Sequence, residues 1–179
     1  MNGIDSHDKV SCVIIFFGAN DAAHESCPSG QHVPIDEFKE NLKKMVEMLE
    51  SSGIKKERVI LVNNPTYYHD DFSETKGEDM VPCRSAESAA TYAAACLEAG
   101  KEIGVTSIDI HKMFAEDPRG RRLFTDGLHF SPSGSELLLN EIWPFIEKKV
   151  HEFSGTSSLE QQLPYWMSIR ETFKTKCSK

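Results

Sequence analysis

Two short clusters in this chain hold side chains suited to catalysis. Gly18-Ala19-Asn20-Asp21 follows an apolar run, and Asp126-Gly127-Leu128-His129 precedes the last amphipathic stretch. An Asn carboxamide can donate a hydrogen bond to an oxygen that gains negative charge in a transition state. Gly18 lets the backbone turn sharply and clears space beside such an oxygen. In the second cluster a carboxylate and an imidazole stand three residues apart, close enough to meet within one turn. A carboxylate on Nδ1–H fixes the imidazole tautomer and leaves Nε2 as a general base. Each cluster also has a plain reading: Gly, Asn and Asp are common turn residues, and a loop His and a loop Asp can each be satisfied separately. Their placement links them, because both follow segments that read as strands, and open α/β sheets bind ligands beyond the carboxyl ends of their strands.

The other polar residues carry less. His69, Asp70 and Asp71 are consecutive and lack facing partners, so they read as a solvated loop rather than a metal site. His111 follows a strand and either lines the site or sits on the surface, and His7, His24, His32 and His151 show no ligand spacing. No metal and no cofactor is expected. Neither GxGxxG nor a P-loop Lys occurs, which argues against a nucleotide binder. The five cysteines are scattered, with no CxxC. They read as free thiols in a reducing compartment, hence a cytoplasmic protein. Cys12 and Cys96 fall in a predicted strand and helix as buried thiols, and Cys83 has a basic neighbour in Arg84.

The elements that must position the two clusters follow from periodicity. Residues 10–17 (VSCVIIFF) form a continuous β-branched and aromatic run, which reads as a strand covered on both faces in a parallel sheet. Ile35, Phe38, Leu42, Met45, Val46 and Leu49 recur at helical spacing, with Asp36 and Glu37 in the first turn and Gly53 as the stop. Residues 58–62 (RVILV) read as a second strand, broken by Asn63-Asn64-Pro65, and 67–81 as a long loop or lid. An Ala-rich helix is predicted over 85–103 and ends at Gly104; a third strand covers 105–110. A short helix over 112–116 stops at Pro118 and Gly120. The last helix starts at Ser131-Pro132 or through a Ser133/Glu136 capping box, and Pro144 should kink or restart it. Strands separated by amphipathic helices indicate βαβ units. Twenty basic against 28 acidic residues, net charge −8, argue against nucleic acid and anionic membrane surfaces. No apolar run is long enough to span a bilayer.

The run IIFFGAND at 14–21 and the DGLH block at 126–129 resemble the third and fifth sequence blocks of the GDSL (SGNH) hydrolases, nearest the isoamyl acetate-hydrolysing esterase group. QHVP at 31–34, RVILV at 58–62 and WPFIEKK at 143–149 are similar to the same group. The resemblance implies a three-layer α/β/α, flavodoxin-like fold and metal-free serine hydrolysis of small or medium carboxylic esters. It implies His129 as general base, Asp126 as its orienting carboxylate, Asn20 as an oxyanion donor and Gly18 as shaping the oxyanion side. One departure matters: the family's nucleophile lies in a Gly-Asp-Ser block, and no Gly-Asp-Ser occurs here. Asp5-Ser6 precedes the strand leading to Asn20, so Ser6 is not expected to be the nucleophile, and no nucleophile is assigned. The chain therefore reads as N-terminally shortened, with residues 1–152 a partial hydrolase domain lacking its first strands. Residues 153–179 read as an extension that packs through Tyr165 and Trp166. Such a chain should be inactive alone, and its strand from Val10 to Phe17 should be an exposed edge open to self-association. The alternative is a non-catalytic interaction protein that pairs through that edge.

Overall fold

The computed structural model describes residues 10–68 and 83–154. Three strands, β1 (Val13–Phe16), β2 (Val59–Val62) and β3 (Thr106–Ile108), form a parallel sheet in the order β1-β2-β3. The register sets Val13 against Val59 and Phe16 against Val62, then Ile60 against Thr106 and Val62 against Ile108. Helix α1 (Ile35–Ser51) connects β1 to β2, and α2 (Ala86–Ile103) connects β2 to β3. Helices α3 (Ile110–Glu116) and α4 (Pro132–Ser154) follow, with a 3-10 turn at Gly120–Leu123 between them.

Side chains alternate across a strand, so each strand feeds two cores. Ile15, Val59 and Leu61 pack with Phe38, Leu42 and Val46 of α1 and Tyr92, Cys96 and Ala99 of α2. Ile60, Val62 and Ile108 pack with Ile110 and Phe114 of α3, Leu123 and Phe124, backed by Leu137, Leu138 and Ile142 of α4. Two helices on one face and two on the other make three α/β/α layers, as the resemblance implied. Two successive crossovers on one face are what right-handed connections require when the strand order runs in sequence. Each fully buried Leu or Phe contributes about 1.5–3 kcal/mol.

The ladders are shorter than the apolar runs that encode them. β1 covers four of the eight residues expected, because β2 offers it only four partners. Arg58 falls instead in a 3-10 turn, Lys56–Arg58, ahead of β2. β3 stops at Ile108, because Asp109 caps α3 by accepting from Lys112 N–H at 3.1 Å. β1 is not covered on both faces: Ile14 and Phe16 are 39% and 37% exposed, and Phe17 is 52% exposed. Gly104 closes α2, as read from sequence, whereas Ser85, expected as its first residue, is instead its cap. Of the two starts open to α4, Ser131 is the cap, accepting from Gly134 N–H at 3.2 Å; the Ser133 hydroxyl donates to Arg122 O instead. The helix runs on through Pro144 to Ser154.

The thiol reading is corrected. Cys27 and Cys83 form a disulfide across 56 residues, while Cys12 and Cys96 are free. The loop after β1 folds over the start of α2, where His24 N–H donates to Cys83 O at 2.7 Å. That proximity is tertiary and has no trace in the spacing. Free thiols therefore no longer argue for a reducing compartment. The 67–81 loop lies outside the described residues except for its first two, and so do Tyr165 and Trp166.

Candidate active site

Just beyond β1 the backbone passes through Gly18 at φ +119°. A Cβ there would lie 2.8 Å from Asn64 Oδ1, so conformation and space both require glycine. Gly18 N–H donates to Asp21 Oδ2 at 3.1 Å, so this N–H is taken up within the turn. Ala22 N–H donates to Gly18 O and Ala23 N–H to Asn20 O, both at 3.0 Å. This compact double turn holds Asn20, exposed, beyond the carboxyl end of β1. The Asn20 Oδ1 accepts from Arg84 at 2.9 Å.

The second cluster lies in a narrow loop closed by an antiparallel bridge between Phe124 and Phe130. Thr125 N–H donates to His129 O at 2.8 Å, and Ser131 N–H to Leu123 O at 2.9 Å. Gly127 at φ +83° lets the loop double back. Asp126 Oδ1 then accepts from Leu128 N–H at 3.0 Å and His129 N–H at 2.8 Å. Asp126 Oδ2 meets His129 Nδ1 at 2.7 Å. Burial pushes the Asp126 carboxyl up, but the bonds from the His129 backbone, the His129 ring and the Leu128 backbone together hold it below its ordinary value. The Asp126 side chain is 18% exposed and that of His129 67%, so the carboxylate is sheltered and the imidazole faces out. Its Nε2 has no hydrogen-bond partner among the described residues.

Both clusters sit on the rim formed by the strand ends. Phe16, at the end of β1, stacks on Phe130 with ring centroids 6.5 Å apart. Tyr68 N–H, beyond β2, donates to Gly127 O at 3.0 Å. A small cavity is lined by Ala19, Tyr67, Arg84 and Leu128, so the neighbours of Asn20 and of His129 share its wall. A groove of ≈ 480 Å³ between α1 and α2 has mixed charges, Lys39, Lys43 and Glu102 among them, and includes neither cluster.

His111 is half-buried in the first turn of α3, its N–H bonded to Asn63 Oδ1 at 3.1 Å. Residues 69–71 lie outside the described residues. Among the described residues no group of three His, Cys, Asp or Glu is arranged to hold a metal. Cys83 is disulfide-bonded and so is not a reactive thiol. Sequence reasoning missed Arg84 and Asn64. Arg84 is 8% exposed and Asn64 1%, yet one read only as a neighbour of Cys83 and the other as a strand breaker. A charged residue ahead of an Ala-rich helix was the available signal for Arg84.

Layering, parallel order and loops gathered at the strand ends define an α/β/α fold of the lipase/acylhydrolase kind. The lipase/acylhydrolase from Enterococcus faecalis shares it with a TM-score of 0.61 and 29% identity, over 76% of this chain and 60% of that one. The chain belongs to the GDSL-like lipase/acylhydrolase family, whose sequence model matches residues 3–137. It is 36% identical to the isoamyl acetate-hydrolyzing esterase 1 homolog of Homo sapiens over 173 residues, 93% of this chain and 65% of that protein. It is 34% identical to a GDSL esterase/lipase of Oryza sativa subsp. japonica, over 80% of this chain and 56% of that one. The chain thus spans somewhat less than two thirds of these relatives. No helix among the described residues is long and apolar enough to cross a membrane.

Proposed function

We propose that this chain carries the acid–base and oxyanion half of a serine ester hydrolase acting on small or medium carboxylic esters, and that it turns over ester only with a serine-bearing segment. The observation carrying this reading is the 2.7 Å contact from Asp126 Oδ2 to His129 Nδ1, with Nε2 unpartnered among the described residues. In this mechanism Nε2 takes the serine Oγ proton as Oγ bonds to the ester carbonyl carbon. The carbonyl π pair moves onto oxygen, which accepts from Asn20 Nδ2–H. Asp126 stabilises the imidazolium. The pair on oxygen then re-forms the carbonyl, the C–O bond to the alcohol breaks, and Nε2–H protonates the departing alkoxide. Water repeats the cycle on the acyl-enzyme. Without Gly-Asp-Ser the first bond has no donor, so the chain alone is inactive.

The test is p-nitrophenyl acetate hydrolysis by the chain alone and by the chain fused to the Gly-Asp-Ser segment of a full-length relative. Turnover is expected only in the fusion, and His129→Ala should lower it by about 10⁴-fold or more. An inactive fusion, or full turnover in the His129→Ala fusion, overturns the reading. A second reading, partner capture through the edge of β1, is favoured by the exposure of Ile14, Phe16 and Phe17.

A further inference from the structure

Arg84 is a buried guanidinium standing at the start of α2, and three of its bonds reach back into the loop after β1. Its Nε donates to Ala19 O at 3.2 Å, and its Nη2 to Asn20 Oδ1 at 2.9 Å and Gln31 Oε1 at 2.7 Å. We propose that Arg84 is a positioning residue for the Asn20 carboxamide, fixing which end of that amide faces the reacting oxygen. This rests on the reading of Asn20 as the oxyanion donor.

The argument is one of donor inventory. A guanidinium only donates, so the amide atom facing it must be the oxygen. With Oδ1 held by Arg84, Nδ2–H₂ points the other way, and Nδ2 has no partner among the described residues. A flipped amide would set N–H against N–H and present an acceptor to the developing oxyanion. The same bond draws electron density from Oδ1 and strengthens Nδ2–H as a donor. Burial lowers the Arg84 pKa, an effect the Tyr67 side chain opposes.

Arg84 cannot follow a drifting loop, because the loop is fastened to α2 on both sides of it. The Cys27–Cys83 disulfide adjoins it. The Ser88 hydroxyl donates to Ala22 O at 2.7 Å, and the Tyr92 hydroxyl donates to Val33 O. The guanidinium is thus a fixed reference against which an exposed Asn is aligned.

The test reads the Asn20 side-chain amide directly by ¹⁵N relaxation in the 179-residue chain. In the wild type its ¹⁵N–¹H heteronuclear NOE should approach that of the ordered backbone. A value as low as that of freely rotating surface Asn and Gln amides overturns the proposal without any variant. In Arg84→Met the NOE should fall to the free value while backbone shifts of β2 and α1 stay in place, and Arg84→Lys should restore part of it. An unchanged NOE in Arg84→Met overturns the proposal. In the serine-bearing fusion, Arg84→Met should lower kcat by ~10–100-fold with little change in KM, less than the loss of the donor itself; a change confined to KM overturns it. If the wild-type fusion is inactive, the ester reading fails, and the amide NOE alone decides the role of Arg84.

Discussion

The Asp126 carboxylate is held by three donors, two of them backbone N–H groups of its own turn, and this arrangement gives it a pH signature. Its folded pKa lies below the ordinary value, so the charged form stabilises the turn above about pH 4. That contribution is lost as pH falls through the depressed folded value. A ¹³C titration of the Asp126 carboxyl should therefore give a midpoint below the ordinary Asp value; a midpoint at or above it would contradict the geometry. Asp126→Asn replaces an acceptor by an amide that can donate to Nδ1, which forces the proton onto Nε2 and removes the base. In the serine-bearing fusion kcat should fall about 10⁴-fold, and a loss under tenfold would separate Asp126 from the mechanism. The Asp126–His129 pairing was legible in sequence because a spacing of three residues confines both groups to one turn. The Arg84–Asn20 contact was not, since it joins residues 64 apart.

Helical periodicity placed α1, and Ala-rich composition ending at Gly104 placed α2, both almost to the residue. Strand limits were less legible, since a ladder ends where its partner ends and an apolar run cannot report that. Close approaches between elements are equally invisible, and Gly134 is the sharpest case. Propensity alone predicts that Gly→Ala in a helix gains about 1 kcal/mol. Here a Cβ would sit 2.0 Å from Leu123 O, a backbone atom that cannot swing aside. Gly134→Ala should instead cost roughly 2 kcal/mol or more, read as a lower urea midpoint at unchanged m. A midpoint raised by the substitution would show that α4 sits further from the Asp126–His129 loop. The disulfide makes a parallel case between the β1 loop and α2. Closing a loop of 56 residues restricts the unfolded chain, so Cys27→Ser with Cys83→Ser should cost about 4 kcal/mol by loop entropy. Equal urea midpoints for oxidised and reduced protein would contradict a bond between them.

Among the described residues the sheet has two outer strands, β1 and β3, and exposed large apolar side chains mark the β1 side. β1 pairs with β2 on one side only, and Ile14 and Phe17 are 39% and 52% exposed. Unpaired N–H and C=O groups next to exposed apolar side chains are a template for another strand. Two copies meeting along β1 would satisfy both edges at once. Net charge opposes this weakly: at −8 the chains repel each other, though salt screens that repulsion beyond roughly 10 Å. Lysines at Ile14 and Phe17 separate the two effects, because they place charge on the edge while moving the net charge from −8 to −6. If general repulsion governed solubility, that double variant would associate more than the wild type. If the edge governs it, the variant should sediment as a monomer at concentrations where the wild type forms dimers or larger species. Wild-type protein that remains monomeric across the concentration series would mean that the edge is already covered, and would remove self-association through β1.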